Sequence, residues 1–271
     1  MDHTALPVSA PRSAVPSIAR MENYLLGGKD HYQIDRQACW RLLALAPAAR
    51  AAATACRHFL RRAVRMLAAE RDLRQFIDFG CGLPDLDNTH DAARRAADDV
   101  RTVYVDDDPV IAAHGRARME PDEHAVVVRA RLGDLDAVLE HPDVRPLIDP
   151  RKPIAVLLVS VLHRIPDDDD PARMVRDIAS RLAPGSAMVI SHLVSDVDTV
   201  RAQVTDLMLG CTGGRWGRVR TRREVETLFQ PLHVLPPGVV DVCGWHPDPL
   251  LSPPAATGGQ WMEYGGVAEI R

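Results

Sequence analysis

Two short segments of the chain carry residues that could bind a nucleoside. The first is Phe76-Ile77-Asp78-Phe79-Gly80-Cys81-Gly82-Leu83-Pro84, and the second is Val103-Tyr104-Val105-Asp106-Asp107-Asp108. An apolar run that breaks at two near-adjacent glycines lets the backbone approach a ligand, and an acid at the end of the next strand can accept hydrogen bonds from ribose hydroxyls. The pattern therefore predicts a site for a nucleoside-bearing cofactor.

The glycine turn favours one class of such cofactor over another. NAD requires a third glycine for close helix packing and places its pyrophosphate on the helix N-terminus. Here Gly82 is followed by Leu83 and Pro84, and the next helix is expected only from about Thr89. A cofactor that ends in an amino acid needs only close backbone approach and polar groups, and S-adenosylmethionine is such a molecule. A nicotinamide oxidoreductase is the weaker alternative.

Both segments belong to an alternation of apolar runs and helical segments, which is typical of an α/β fold with a largely parallel sheet. Strands are predicted at Gln75–Phe79, Arg101–Val105, Ala125–Arg129, Ile154–Val161, Ala187–His192, Leu232–Val242 and Gly265–Ile270. Helices are predicted near Thr89–Asp98, Pro109–Met119, Leu135–Glu140, Ala172–Leu182 and Arg222–Phe229. Ligands of such sheets bind beyond the carboxyl ends of the strands, where the glycine turn and the acids lie.

The chain divides into three predicted regions. Residues 1–17 contain several prolines and no apolar period, so they are predicted to form a disordered tail. Residues 18–70 are rich in Ala, Leu and Arg and are divided by Pro47, which predicts an N-terminal helical cap. Residues 71–271 are predicted to form the Rossmann-like sheet domain, in one structural unit with the cap, and Pro247–Gly259 is predicted to be a loop.

Composition excludes several classes of protein. The chain has 271 residues, 46% of them hydrophobic, and a net charge of −4. It has neither the layout of a secretory signal nor a long apolar run, which predicts a soluble cytoplasmic protein without a membrane partner. Aromatic residues total only 4%, and no basic groove with interleaved aromatics is evident, which argues against a nucleic-acid partner. Neither the five cysteines nor the acidic run at 167–170 predicts a metal site.

Several longer motifs resemble one known family. They are Asn23-Tyr24-Leu25-Leu26-Gly27-Gly28-Lys29-Asp30, Gly82-Leu83-Pro84, Asp87-Asn88-Thr89-His90, Tyr104-Val105-Asp106-Asp107-Asp108-Pro109 and the stretch from Leu157 to Asp168. From about Arg20 to its C-terminus, the chain is similar to a family of actinobacterial S-adenosylmethionine-dependent methyltransferases long known only as a domain of unknown function. The resemblance implies a Rossmann-like class I methyltransferase fold. Its sheet would have seven mostly parallel strands and one antiparallel strand among them, with helices on both faces and an N-terminal helical cap over the cofactor.

The resemblance also implies positions for the cofactor. Asp78, Gly80 and Gly82 would border its methionine part, and Asp106 would hold the ribose hydroxyls with Asp107 beside it. The glycines near residue 28 would let the backbone fold over the cofactor as a lid, with Tyr24 at its mouth. The complete set of candidate cofactor-binding residues is Tyr24, Gly28, Asp78, Gly80, Gly82, Asn88, Asp106, Asp107, Arg131, Leu132, Asp134 and Ser160.

One segment departs from the family pattern. Members usually carry Ala-Asp-Leu after the third strand, where the acid would accept the adenine amino group, but this chain has Ala130-Arg131-Leu132. Arginine cannot accept a hydrogen bond. Either Asp134 takes over after a shift, or the backbone alone recognises adenine, or cofactor binding is weakened.

Two histidines are the candidate catalytic residues. His163 lies just after the C-terminal end of the fourth predicted strand and His31 lies on the glycine-flanked N-terminal segment, while His192 and Tyr32 are weaker candidates. Each could equally be a residue that only bonds its neighbours. A base is optional here, because a sulfonium already carries an excellent leaving group and alignment supplies much of the rate.

The sequence thus predicts an S-adenosylmethionine-dependent methyltransferase that acts on a small-molecule acceptor, plausibly in specialised metabolism. The alternative is a non-catalytic protein of the same fold that binds a nucleoside or S-adenosylmethionine, or that has a regulatory role. The basic cluster between Arg215 and Arg223 is either a solvated face or a means of admitting an acidic acceptor. The oligomeric state is not determined, and a homodimer is an open alternative.

Overall fold

The computed structural model describes residues 15–85, 87–119, 122–230, 232–247 and 260–271. Residues 1–14 of the expected tail and residues 248–259 of the expected loop lie outside the described residues. Ser17, the last residue assigned to the tail, is buried and its backbone N–H donates to Asp35 Oδ1 at 2.9 Å. The ordered chain therefore includes the end of the region predicted to be a tail.

The described residues form one mixed sheet. Its strands are β1 (Gln75–Phe79), β2 (Arg101–Asp106), β3 (Ala125–Arg129), β4 (Ala155–Leu158), β5 (Ala187–Val194), β6 (His233–Val234), β7 (Val240–Asp241) and β8 (Met262–Glu269). They pair in the order β3-β2-β1-β4-β5-β8-β6, and β7 also pairs with β8. Strands β1 to β5 run parallel, whereas β8 runs antiparallel to β5. This arrangement confirms the expected class I fold.

The sixth predicted strand is interrupted. Its two ends form β6 and β7, which both pair with β8, while Pro236 and Pro237 lie between them. Proline has no backbone N–H to donate to a neighbouring strand, so the ladder stops at this pair. The expected seven strands are therefore observed as eight within the described ranges.

Helices cover both faces of the sheet. They are α1 (Ile18–Leu25), α2 (Gln33–Leu45), α3 (Ala49–Glu70), α4 (Thr89–Arg94), α5 (Pro109–Met119), α6 (Leu135–Glu140), α7 (Pro171–Ala179), α8 (Asp198–Cys211) and α9 (Arg222–Leu228). On one face, α3 and α4 pack against β1, β4, β5 and β8 through residues such as Phe59, Phe76 and Leu157. On the other face, α6, α7 and α9 bury Val138, Val175 and Val225. The cap and the sheet consequently share a continuous core through α3.

Helix α8 was not predicted from the sequence. Its buried residues are only Val204 and Met208, which stand one turn apart. A stripe this narrow is not distinguished from a loop by apolar periodicity. Yet α8 packs with α1 and α2 in a third core cluster, together with Trp216 and Trp261. These three helices form the roof above the carboxyl ends of the strands.

A buried ion pair fixes α1 in this roof. Arg20 Nε lies 2.7 Å from Asp35 Oδ2, and the Asp35 side chain is fully buried. The same carboxylate also accepts the backbone N–H groups of Ser17 and Tyr32. Since every oxygen of Asp35 is engaged, the start of α1 is held firmly against the start of α2. No helix in the described part of the chain is long and apolar enough to cross a membrane.

Candidate functional site

The turn after β1 and the tip of β2 lie against each other. Gly80 and Gly82 both have a φ of +68°, a conformation that favours glycine. A Cβ on Gly80 would stand 2.4 Å from Val161 Cγ1, so a side chain there is excluded. The Gly80 N–H donates to Val105 O at 2.7 Å, and the Gly82 N–H points to Asp106 Oδ2 at 3.4 Å. The two segments singled out in the sequence therefore form one site.

Asp106 and Asp107 stand in different surroundings at the tip of β2. Asp106 is buried and also accepts the Asp108 N–H at 2.9 Å. Burial raises the pKa of its carboxyl, an effect that nearby Arg164 opposes. The Asp107 carboxylate is 57% exposed and lies 3.2 Å from Arg164 Nη2. Of the two acids, Asp106 is the one held in a fixed orientation towards the glycine turn.

A cleft of about 470 Å³ opens beside this tip. Its walls include Asp106, Asp107 and Leu132 from the sheet side, and Ile18 from the roof. Trp216, from the segment after α8, completes the wall. The cleft is large enough for a nucleoside, and it places a carboxylate pair where ribose hydroxyls can donate hydrogen bonds.

Three charged side chains gather at the other side of the glycine turn. Glu22, Arg57 and Asp78 line a small cavity of about 20 Å³ together with Gly80. Arg57 Nη2 lies 3.7 Å from Glu22 Oε1. Burial opposes the charge of Arg57, but the carboxylates of Glu22 and Asp78 outweigh that effect and raise its pKa. The side chain of Arg57 therefore stays positively charged beside the carboxylates of Glu22 and Asp78.

Asp78 is the most deeply placed of these groups. It is buried in the middle of the sheet edge, and Thr89 Oγ1 donates to its Oδ2 at 2.6 Å. Burial raises its pKa to about 6, against the lowering effect of the Thr89 hydrogen bond. The amino-acid end of S-adenosylmethionine carries an ammonium and a carboxylate. Asp78 with Glu22 suits the ammonium and Arg57 suits the carboxylate, so the residues present fit this cofactor.

A third cavity of about 70 Å³ lies under the roof. Most of its lining is apolar and comes from α1, α2, α3 and α8. Polar side chains enter it at Glu22, Ser160, His163 and Glu263. It shares Glu22 and Ser160 with the small charged cavity, so the two compartments meet at these side chains. We call this third compartment the roof cavity.

The predicted lid residues lie elsewhere. Tyr24, Gly28 and His31 cluster on the outer side of α1, where the rings of Tyr24 and His31 meet edge to face at 5.1 Å and His31 Nε2 contacts Gly28 O. Tyr24 Oη accepts the Trp40 Nε1–H. None of the three lines the cleft, the charged cavity or the roof cavity. The inner side of α1 carries Ile18, Met21, Glu22 and Leu25 instead.

Three further candidates on the sheet side are placed away from these cavities. Asn88 caps α4 and exchanges hydrogen bonds with Asp85, and Asp134 caps α6 by accepting the Ala137 N–H. Arg131 is exposed and is not among the residues that line the cleft. Leu132 is in the lining. Asp134 caps the start of α6 and is not among the residues that line the cleft.

The candidate histidines differ from each other. His163 is buried at the roof cavity, and burial, reinforced by His192, holds its pKa well below the ordinary value. His192 is fully buried, with Nδ1 bonded to Leu193 O at 2.6 Å and Nε2 to Arg220 Nη1 at 2.9 Å. Since both of its ring nitrogens are engaged, His192 is a structural residue.

The basic cluster is structural in large part. Arg220 is buried and bonds Leu162 O, Ile165 O and Asp167. Arg218 is paired with Asp167 and Glu224, and Arg222 with Asp196. These contacts clamp the segment after α8 against the loop after β4, and so they position Trp216 over His163, with ring centroids 4.5 Å apart. An acidic acceptor would have to compete with these pairs.

Five residues of the site were missed in the sequence: Glu22, Arg57, Arg164, Trp216 and Glu263. Arg57 could not be told apart from the other arginines of α3, because nothing local marks the one that faces the glycine turn. Glu263 had a usable signal, since a carboxylate inside the apolar run of a buried strand requires a reason.

The chain is similar in sequence and structure to several known proteins. The sequence profile of a family described as S-adenosyl methyltransferase matches residues 9–271. A candidate methyltransferase from Thermobifida fusca YX is 35% identical, with a TM-score of 0.87 over 95% of this chain and 96% of that one. A DUF574 family protein from Streptomyces avermitilis MA-4680 is 29% identical, with a TM-score of 0.86 over 96% of this chain and 99% of that one. A search of curated proteins finds no match. The chain therefore belongs to the S-adenosyl methyltransferase family and is an S-adenosylmethionine-dependent methyltransferase.

Proposed function

We propose that the protein methylates a small-molecule acceptor that binds in the roof cavity. The observation that carries this proposal is the position of that cavity: it is about 70 Å³ in volume, is lined mostly by apolar side chains, and meets the charged cavity at Glu22 and Ser160. A compact apolar compartment of this kind suits a small molecule and has no room for a polynucleotide strand.

The cofactor supplies a methyl group bound to a sulfonium sulfur, which is a good leaving group. Different residues of the chain hold different parts of the cofactor. Asp106 receives the ribose hydroxyls in the cleft. Leu132 packs against the base, and backbone groups near it recognise the adenine edge. Arg57 binds the carboxylate of the amino-acid end, and Asp78 with Glu22 binds its ammonium.

The roof contributes by excluding water and fixing the acceptor. Leu25, Met208 and Trp261 wall the roof cavity with apolar surface, and the buried Arg20–Asp35 pair holds α1 in place. Holding a nucleophile in line with a methyl group supplies much of the rate of such a transfer. A dry compartment also strengthens each polar contact that the acceptor makes.

The class of acceptor is supported by charge as well as by volume. Arg218, Arg220 and Arg222 are engaged with acids of the same chain, which leaves them poorly suited to bind phosphates. A role in specialised metabolism is part of the proposal and is supported by the resemblance to the actinobacterial family alone.

The test is a transfer assay with S-adenosylmethionine that carries a radiolabelled methyl group. An extract of the source organism is separated by ultrafiltration into small molecules and macromolecules, the macromolecules are divided into nucleic acids and proteins by anion-exchange chromatography, and each fraction is incubated with the enzyme. We expect a new labelled compound, resolved from the cofactor by chromatography, in the small-molecule fraction. Label that appears only on nucleic acid or protein would refute the proposal, and heat-denatured enzyme is the control.

A further inference from the structure

One carboxyl group stands out in the roof cavity. Glu263 is buried, with 2% of its surface exposed, and its Oε1 accepts the Ser160 hydroxyl at 2.5 Å. By distance and angle its other oxygen, Oε2, has no hydrogen-bond partner within the described ranges of the chain, although the nearby hydroxyls of Ser160 and Ser191 both act to lower the pKa of this carboxyl group. An unpartnered buried oxygen is costly in a folded protein. Because Glu263 lines the cavity, a ligand with a hydrogen-bond donor can supply the missing partner.

The backbone holds this carboxyl group in place. Glu263 lies on β8 directly opposite Leu193 of β5, so both side chains enter the cavity from the edge where the parallel strands end. Ser160 has a left-handed φ of +57°. Its N–H donates to Ser191 Oγ at 3.0 Å and Ser191 O at 3.2 Å. A strained backbone that is fixed from several sides is typical of functional sites.

Glu263 is also next to the charged cavity. Ser160 borders both compartments, so the Ser160–Glu263 pair stands where the cofactor's amino-acid end and the acceptor would approach each other. The titratable groups that face it are Glu22 from α1, Cys56 from α3 and His163 after β4, all in the cavity wall, and Asp241 from β7.

Two side chains of the cavity wall could receive a proton from an acceptor. His163 has an unpartnered Nδ1, but burial and His192 hold its pKa well below the ordinary value, which makes it a weak base. Burial raises the pKa of Glu263 to about 8, with Glu22 and Asp241 acting in the same direction. A base with a pKa near the working pH is the more effective of the two.

We propose that Glu263 recognises the acceptor in the roof cavity: Oε2 accepts a hydrogen bond from an N–H or O–H group carried on a compact apolar molecule. The inference rests on the proposed function and names its acceptor class. On transfer, the nucleophile's lone pair forms the bond to the methyl carbon, the carbon–sulfur bond breaks with its electrons left on sulfur, and the released proton passes to Oε2 of the ionised Glu263 carboxylate, the form that predominates above a pH of about 8.

The test compares small probes that differ in one donor. Pyrrole carries an N–H group, thiophene is a matched ring without one, and cyclopentanol carries an O–H group. Dissociation constants are measured by ligand-observed NMR with S-adenosylhomocysteine present in excess. We expect pyrrole or cyclopentanol to bind about 5- to 10-fold more tightly than thiophene, the effect of one buried hydrogen bond. Which of the two gains more shows whether the site prefers N–H or O–H.

Two variants test whether Glu263 causes the preference for probes that carry a hydrogen-bond donor. Glu263→Leu should bind pyrrole and cyclopentanol no better than thiophene, whereas Glu269→Leu, the same change farther along β8, should retain the preference. Equal binding of all three probes to the wild-type protein would overturn the inference, as would an unchanged preference in Glu263→Leu. If calorimetry shows no binding of S-adenosylhomocysteine to the wild-type protein, the proposed function fails instead.

A second measurement applies if Glu263→Leu does not fold. The pKa of Glu263 is raised in the folded state, so the folded protein binds more protons and loses stability as the pH rises from about 4.5 towards 8. Glu263→Gln stays neutral and keeps an acceptor for Ser160. We expect its melting temperature, relative to wild type, to be higher at pH 8 than at pH 5. The same difference at both pH values would overturn the assignment of a buried, titrating carboxyl group.

Discussion

The hydroxyl of Ser160 donates a 2.5 Å hydrogen bond to Oε1 of Glu263, across 103 positions of the chain. The bond ties the loop after β4 to the first residues of β8. It stands at the boundary between the charged cavity and the roof cavity. In the proposed arrangement the cofactor and acceptor sites share this contact, and the predictions below test the cofactor side of it.

The acid at the tip of β2 is expected to hold the ribose. Asp106→Ala should weaken S-adenosylhomocysteine binding by about 1–3 kcal/mol, the range for hydrogen bonds to a charged group. Asp107→Ala should cost less, because this carboxylate is 57% exposed and its interactions are screened by water. Isothermal titration calorimetry measures both, with the remote exposed variant Asp136→Ala as control. Equal losses for the two acids would contradict separate roles.

Cofactor binding is expected to depend on the protonation of Asp78. Its pKa is about 6 in the folded protein, and only the ionised carboxylate attracts an ammonium. Affinity should therefore fall as the pH is lowered through about 6, and binding near that pH should release a proton. Calorimetry in buffers of different ionisation enthalpy measures the release. Asp78→Asn should bind weakly with little pH dependence, and a wild-type affinity that is constant from pH 5 to 7 would reject the role.

Arg57 is expected to act on the amino-acid end of the cofactor alone. Arg57→Met should weaken S-adenosylhomocysteine binding by roughly 10- to 100-fold, as expected for a lost charge-assisted hydrogen bond. The binding of methylthioadenosine, which lacks the amino-acid end, should change little. Arg57→Lys keeps the charge and serves as the matched variant. A similar loss for both ligands would mean that the substitution disturbs the fold of the site rather than one contact.

Adenine recognition is expected to be independent of Arg131. This residue is exposed and outside the cleft, so Arg131→Ala should leave S-adenosylhomocysteine affinity within about twofold of wild type, the usual range for surface changes. Leu132→Ala, one residue away, should lower the affinity by removing apolar contact with the base. Isothermal titration calorimetry with S-adenosylhomocysteine measures the affinities of both variants. A large loss of S-adenosylhomocysteine affinity in Arg131→Ala would instead show that Arg131 takes part in cofactor binding.

The fold followed from the sequence because each parallel strand is buried on both faces. Buried strands are rich in apolar residues, and β1 and β3 have the predicted bounds, Gln75–Phe79 and Ala125–Arg129, although β1 also carries Gln75 and Asp78. The glycine turn and Asp106 meet for a simple reason, since neighbouring parallel strands end at the same edge. Helix α8 was not predicted, because only Val204 and Met208 are buried in it.

The remainder of the site depends on tertiary packing that no local pattern encodes. The rotation of α1 directs Glu22 inward and Tyr24 outward, although only one residue separates them on the same helix. His31 follows Tyr24 to the outer side, so its proximity to the glycines in sequence did not place it near the cofactor cleft. Glu263 enters from the last strand, whose pairing with β5 is antiparallel.

Trp216 forms part of the wall of both the cofactor cleft and the roof cavity. A ligand that shifts this indole from one side also reshapes the space on the other side. If binding on one side displaces Trp216 or Ile18, which also lines both spaces, the affinities of the two ligands are linked, and by thermodynamic reciprocity each changes the other's dissociation constant by the same factor. Such coupling between the methyl donor and the proposed acceptor would run through these two shared side chains.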